Sequence, residues 1–412
     1  MGLKQQYSWI LAGRLTGAAV QAASLTLVAR WSGPAEFGFF AAAYGIALVT
    51  QTVADLGLTK YIVQLRVSDR SDGGIGAALR LGRNISIIST VVGTVALVAV
   101  GTQIPAVMAL CLMPLWMSSE KQVEAWLGVS LADGKLWHNA TSLVFRRLGA
   151  LVVLLVAHAA GLDPVPSYLV GLTLFSLLAW WHVRIVTDDV RTDRTVRAKS
   201  LLIGGRHYWF NSLAVQAMNF DVTVVAAMAS AQSAGYYAAA SRLTTPLRIV
   251  PTSFATLLFP AAAKAQLSGA RPLLKAVGGL IAITTVMYIG LAVALPILVP
   301  LVLGPSFAPA APVIQVVCVG LIFAAITSQF NSLMQGWGYL RAVTIISTAS
   351  TLLSLIAIAI AAAHWGALGA GFALAGGYVV QLAIQAVTIG SILRKQGRQW
   401  AEQPSSASLQ PK

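Results

Sequence analysis

The sequence predicts an all-α polytopic membrane protein with about twelve transmembrane helices arranged as two six-helix halves. Of the 412 residues, 57% are hydrophobic and 10% charged, and the mean hydropathy is +0.76. That leaves too little polar surface to cover a water-soluble globule. Apolar runs long enough to cross ~30 Å of hydrocarbon recur along the whole chain. The hexapeptide GFFAAA at 38–43 returns as GYYAAA at 235–240, displaced by 197 residues, about half the chain. Each copy follows an apolar stretch and a short turn and opens a second apolar stretch. The repeated unit is therefore a helical hairpin, and the chain reads as an internal duplication.

The runs lie roughly at 8–30, 37–59, 84–104, 106–127, 143–161 and 165–186 in the first half. In the second half they lie roughly at 208–231, 235–260, 275–299, 310–334, 342–363 and 366–392. This divides the chain into an N-terminal lobe (1–186), a polar linker (187–206), a C-terminal lobe (207–392) and a polar tail (393–412). The first run carries Arg14 and lacks a cleavage site, so it reads as a retained span rather than a signal peptide. The loop from Arg66 to Arg83 mixes charge with Ile75, Leu79 and Leu81, a pattern that suits either a surface amphipathic helix or a flexible loop. Trp9, Trp31, Trp137, Trp209 and Trp365 sit near span ends as interfacial anchors. The tail, with two prolines, is expected to be mostly disordered.

The net charge of +15 is spread over loops. Of the 28 lysines and arginines, 24 fall on one side of the predicted topology, Arg30 falls on the other, and Arg14, Arg242 and Arg248 fall within spans. Because cytoplasmic loops retain basic residues, both termini and the linker are expected on the cytoplasmic side. Charge spread in this way fits topology and anionic headgroups, and it argues against nucleic acid. Cys111 and Cys318 lie singly in apolar runs, and the five histidines show no ligand spacing, so no metal and no cofactor is expected. A membrane enzyme would need acids on the outer face, where only Glu36 and Asp163 lie, or a diphosphate–Mg²⁺ cluster. Asp188, Asp189 and Asp193 form a DDxxxD arrangement in the linker, but flanking arginines make it read as a solvated helix end.

Charged and amide side chains inside spans are costly and mark function. Arg14, Gly17, Gln21 and Ser24 share one helical face, as do Tyr44, Gln51 and Asp55. Asp55 lies at about the depth of Arg14, so pairing of the two is open, as is snorkelling of Arg14. In the second half Ser212, Gln216, Asn219 and Thr223 form a polar stripe, and Ser328, Asn331, Ser332 and Gln335 form another. Such stripes line either water or a neighbouring helix. Similar depth on antiparallel helices suggests that Asp221 pairs with Arg248, while Pro246 offers a bend between Arg242 and Arg248. The candidate cavity set is Arg14, Gln21, Gln51, Gln216, Asn219, Arg242, Arg248, Asn331 and Gln335, expected between the halves. Asp55 and Asp221 are the candidates for ion coupling or pairing. Three arginines against two aspartates make the cavity cationic, which suits a diphosphate.

These residues also carry a family resemblance. ARWSGPAEFGFFAAAYGIALVTQTVADLGLTKYIV at 29–63 resembles the N-terminal signature of the Wzx-type polysaccharide-export and oligosaccharide-flippase family, within the multidrug/oligosaccharidyl-lipid/polysaccharide exporter superfamily. DVTVVAAMASAQSAGYYAAASRLTTPLRIVPTSFATLLFPAAAKA at 221–265 is similar to that family's seventh and eighth spans, and LGPSFAPAAPVIQVVCVGL with WGALGAGFALAGGYVVQL is similar to its C-terminal third. The resemblance implies a two-lobed flippase of the bacterial inner membrane. It would turn over undecaprenyl-diphosphate-linked oligosaccharide by alternating access for surface polysaccharide synthesis. Its implied partners are the lipid-linked substrate, membrane lipids, and a polysaccharide polymerase and co-polymerase. Arg14 in GRLTG and Arg242 with Pro246 also resemble positions of the lipid II flippase branch, but the run Ala18 to Ala23 lacks the neighbouring charges, so lipid II is not implied. The alternatives are a multidrug exporter of the same superfamily, for which cavity acids are expected, and a membrane-embedded prenyl-phosphate or glycosyl transferase.

Overall fold

The computed structural model describes residues 3–402 apart from positions 136, 188–189, 192, 194–195, 249–250, 253, 256–257, 259–261 and 263–269. Asp188 and Asp189, the side chains of Trp9 and Pro246, and the tail beyond 402 thus lie outside the described residues.

The first half consists of α1 (Leu3–Asp55), α2 (Leu58–Ser68), α3 (Gly73–Gly101), α4 (Pro105–Met108), α5 (Met113–Ala132), α6 (Trp137–Ala159) and α7 (Pro164–Val186). The second consists of α8 (Ala198–Gln216), which runs through a 3₁₀ turn (Ala217–Phe220) into α9 (Asp221–Met228), then α10 (Ala231–Leu243) with a 3₁₀ turn (Thr245–Arg248). It continues with α11 (Ala270–Leu303), α12 (Ala310–Gly336) and α13 (Leu340–Glu402). Among the described residues, seven helices are long and apolar enough to cross a membrane.

Two of those seven are double. At 1.5 Å per residue, the 53 residues of α1 would reach about 80 Å, far beyond one bilayer. The helix breaks at Gly33 (φ 79°), a left-handed conformation that suits glycine, and Pro34 then starts the second rod with its fixed φ and missing N–H. α13 breaks likewise at Gly366 (φ 58°). With α5, the continuous α8–α9 rod and α10, the rods among the described residues come to six in each half, as the sequence predicts.

The two copies of the hexapeptide meet. Gly38 lies against the Ala231 carbonyl and the backbone of Gly235, and Gly235 lies against the Pro34 carbonyl, so close that a methyl on either glycine would overlap main chain. Farther along the same rod of α1, Gly45 sits on the Asn219 carbonyl and Thr223 Oγ1 donates to Ala42 O at 2.8 Å. Close approach through small residues is how helices associate where no water is available to drive packing. Around the crossing, Phe37, Phe40, Tyr168, Tyr237 and Phe307 form one buried core shared by both halves. Arg30 closes the same end by donating to the last-turn carbonyls Leu301 O (2.9 Å) and Val302 O (3.2 Å) of α11. At the opposite end Gly57 abuts Gly205 O, and Trp209 Nε1 donates to Val53 O at 3.1 Å.

Three segments depart from the sequence expectations. The Arg66–Arg83 stretch folds as the end of α2 and the start of α3, capped by Asp72. Its Ile75 and Leu79 pack on Leu58, Ile62, Val129 and Leu201 rather than on a lipid surface. α8 begins at Ala198, inside the expected linker, whose Asp193 N–H is tied to Gly73 O at 3.1 Å. The tail starts as helix, because RKQGRQWAE continues α13 to Glu402 and is rich in residues that favour that conformation.

Candidate functional site

A cavity of about 770 Å³ opens in the second half, walled by α8, the 3₁₀ turn after it, the start of α9, α10 with its 3₁₀ turn, α12 and α13. Among the described residues its lining comes entirely from the second half, not from between the halves as expected. Along the seam between the halves, Gly38, Gly45 and Gly57 bring the first half into close backbone contact with the second.

Of the sequence candidates, Asn219, Asp221, Arg242, Arg248, Asn331 and Gln335 line this cavity. Gln216 stands behind it, accepting from Asn219 Nδ2 at 2.6 Å. Arg242 is held by three groups: Asn219 Oδ1 (2.8 Å), Asn219 O (3.2 Å) and Asp221 Oδ1 (3.3 Å). Its guanidinium also sits 5.9 Å from the ring centroid of Tyr44, which brings the first half to the site. Asp221, buried, further accepts through its carboxylate from its neighbour Val222 N (2.7 Å) and from Tyr237 Oη (3.3 Å).

The expected Asp221–Arg248 pair is thus replaced by Asp221–Arg242. α10 starts at Ala231, four residues before the expected start of its span at 235, which carries Arg248 roughly 6 Å deeper along the helix axis. A helical side chain leans toward its own N-terminus, which swings Arg242 back to the level of Asp221. Arg248 is exposed, stands 5.9 Å from the Tyr378 ring centroid, and also borders a smaller cavity of about 200 Å³ with Tyr288 and Gln381. It has no ion-pair partner among the described residues.

The first-half candidates are placed elsewhere. Gln51 is buried and its Nε2 donates to Met117 O at 2.9 Å, a bond that ties α1 to α5. Gln21 is half-buried and Arg14 exposed. Asp55 accepts from Thr59 Oγ1, and no ion pair joins it to Arg14.

Two features escaped the sequence reading. Arg146 and Arg147, counted there as cytoplasmic, lie mid-way along α6 and are buried, as does the partly buried Lys121 in α5. The Glu120 carboxylate takes Arg146 Nη1 at 2.5 Å, Arg147 Nη2 at 3.2 Å and Ser176 Oγ at 2.9 Å. This cluster joins α5, α6 and α7, and the Arg-Arg pair ten residues into the helix was its signal. The second feature is a row of hydroxyl side chains on α13 that forms one wall of the cavity. Its signal was the helical spacing of serine and threonine in TIISTASTLLS, from 344.

Comparison with known proteins agrees with this architecture. Residues 3–266 match the family described as "Polysaccharide biosynthesis protein". No curated protein matches the chain by sequence. Among solved structures, the chain is similar to one titled "Lipid II flippase MurJ, inward closed conformation", with TM-score 0.72, 13% identity, and 92% of this chain and 87% of that chain covered. It is also similar to an inward-facing multidrug resistance MATE family transporter of the MOP superfamily, with TM-score 0.73, 14% identity, and 92% and 96% covered. A MOP superfamily transporter from Pyrococcus furiosus aligns with TM-score 0.61 at 13% identity, covering 95% of this chain and 96% of that one. At these identities the likeness is one of fold, while the family match takes in more than half the residues. The chain belongs to the polysaccharide biosynthesis protein family and has the helical exporter fold shared by flippases and multidrug transporters.

Proposed function

We propose that the chain is a flippase that carries a lipid-diphosphate-linked oligosaccharide across the bacterial inner membrane, supplying surface or exopolysaccharide synthesis. The observation that carries this reading is the pair of arginines, Arg242 and Arg248, in a cavity whose other polar lining, Asp221 apart, is amide and hydroxyl. Guanidinium stays charged at any relevant pH and pairs with phosphate oxygens in a two-pronged geometry, so such a cavity is matched to a diphosphate. Among the described residues the lining holds one acid, Asp221, and Arg242 already engages it. That disfavours small cationic cargo, and no reacting group is needed for transport rather than catalysis. Cytoplasmic termini and a polymerase and co-polymerase downstream belong to the same reading.

The test is a deletion strain with its lipid-linked intermediates identified by mass spectrometry. The expected result is an intact lipid-linked oligosaccharide trapped on the cytoplasmic leaflet, with surface polymer lost. Normal surface polymer in a deletion lacking any paralogue would overturn the reading. A truncated precursor would point to an enzyme instead.

A further inference from the structure

The cavity has two chemically different walls. Its charged lining residues, Asp221, Arg242 and Arg248, come from α9, α10 and the 3₁₀ turn that follows. The wall provided by α13 carries hydroxyls: Thr344, Ser347, Thr348, Ser350, Thr351 and Ser354. Steps of three and four residues keep these on one face over about 15 Å of helix. On the other faces of the same rod Ile345, Leu352, Leu353 and Ile356 are more than half exposed, as lipid-facing side chains are.

Hydroxyls in apolar helices usually satisfy themselves on the preceding turn, and Thr344 does so by donating to Leu340 O at 3.0 Å. Ser350 does not: it is 5% exposed, lines the cavity, and its Oγ has no hydrogen-bond partner among the described residues. Ser347 Oγ is approached by Gln381 Nε2 at 3.4 Å, and Gly377 leaves the space that Ser354 Oγ fills. The second rod of α13 therefore braces the first rod with its hydroxyls turned inward.

We propose that this face of α13 is the saccharide-recognition wall of the cavity and selects uncharged sugar units next to the diphosphate held by Arg242 and Arg248. The proposal rests on the flippase reading and adds to it the class of glycan accepted. Hydroxyls both donate and accept, which matches a polyol. An apolar chain laid on them would strand buried hydroxyls, and an acidic or amino sugar would meet no charged side chain among the described α13 residues of the lining. The volume, about 770 Å³, lies in the ~300–1,000 Å³ range of sites that enclose a drug-sized ligand, enough for a headgroup while the long prenyl tail stays in the bilayer.

The test uses the full-length protein in nanodiscs and calorimetric binding of three probes: farnesyl diphosphate, the same diphosphate carrying one hexose, and one carrying a hexuronate. The hexose probe should bind about tenfold tighter than the bare diphosphate, and the hexuronate should lose that gain. Ser350→Ala combined with Thr351→Val should remove the hexose advantage and leave the bare diphosphate bound as before, which also reports a folded variant. Should that pair fail to fold, Thr348→Val alone should lose about two- to threefold of the advantage. Arg248→Gln should weaken all three probes together. Equal binding of bare and hexose probes by the wild type, or an undiminished advantage in the hydroxyl variants, overturns the saccharide wall and leaves the diphosphate reading standing. A hexuronate bound as tightly as the hexose overturns the restriction to uncharged units. Failure of the wild type to bind any probe removes the diphosphate reading and this proposal with it.

Discussion

Gly38 and Gly235, the leading residues of the two hexapeptide copies, lie against each other's backbone where the halves cross. The sequence repeat thus marks a point of contact between the halves. Backbone-to-backbone approach leaves no side chain able to move aside. Gly38→Ala should therefore cost about 1–3 kcal/mol, the usual range for overpacking. Gly290→Ala, facing open space on α11, should be neutral or gain about 0.5–1 kcal/mol from helix propensity. Thermal melting of the detergent-solubilised protein compares the two, and equal melting would deny that the crossing is tight.

The Asp221–Arg242 pair predicts a specific coupling. Both side chains are mostly buried, at 7% and 16% exposure. Asp221→Ala strands a buried guanidinium and should destabilise by about 3 kcal/mol, while the double variant with Arg242→Ala should recover part of that loss. The cycle with Arg248→Ala should show a coupling below about 0.5 kcal/mol, since that residue stands over Tyr378 instead. A larger coupling to Arg248 than to Arg242 would reverse the assignment.

How far the sequence foretold this arrangement depends on the length scale. The twelve rods among the described residues were legible because apolar runs are set by bilayer thickness, which acts over whole segments, and the repeated hexapeptide marked a backbone contact. Partner choice was not legible where it turned on helix starts. Placing the onset of α10 at 235 rather than Ala231 was enough to transfer Asp221 from Arg242 to Arg248. Arg146 and Arg147 were misplaced for a related reason: α6 begins at Trp137, six residues before the expected start of its span at 143, so residues counted at the cytoplasmic end lie about mid-way along the helix. Gln51 shows a third limit. An amide inside a span satisfies a neighbouring carbonyl as readily as it faces a cavity, and only its distance to Met117 O decides.

Outside the spans, Arg66 grips Asp133 with two parallel bonds of 2.9 Å, tying α2 to the turn between α5 and α6. The hydrogen bonds and charge of Arg66, followed by Arg70, hold the Asp133 carboxyl below the usual carboxylate range. A depressed folded-state value stabilises the fold above the unfolded value of about 3.9, and this contribution fades as pH falls through the folded value. Asp133→Asn should therefore lower the melting temperature by a constant amount between about pH 6 and 8 and lose that deficit in acid below about pH 4. A deficit that persists in acid would show that the carboxylate charge is not its source.

Topology follows from where basic residues gather. In a variant lacking Cys111 and Cys318, Ser200→Cys at the exposed start of α8 should resist membrane-impermeant thiol reagent in intact cells and label after lysis. Leu162→Cys, exposed in the turn between α6 and α7, should label in intact cells. The reverse pattern would invert the orientation.

Arg242 and Arg248 share a cavity but differ in what already holds them, and this separates a structural from a ligand role. Arg242 is bound by Asn219 and Asp221, so Arg242→Gln should lower both the melting temperature and polymer export. Arg248 is exposed, with the Tyr378 ring as its neighbour and no ion-pair partner among the described residues, so Arg248→Gln should melt as the wild type does. If a diphosphate binds there, the same substitution should cut export about tenfold or more, because a charge-assisted pair with phosphate is worth roughly 1.5–3 kcal/mol. Arg248→Lys keeps the charge but loses the two-pronged geometry, which places its export between the two. Export and melting are measured on the same membranes at matched protein levels. Wild-type export in Arg248→Gln would remove this arginine from the site, leaving Arg242 as the cavity's sole arginine for an anionic headgroup.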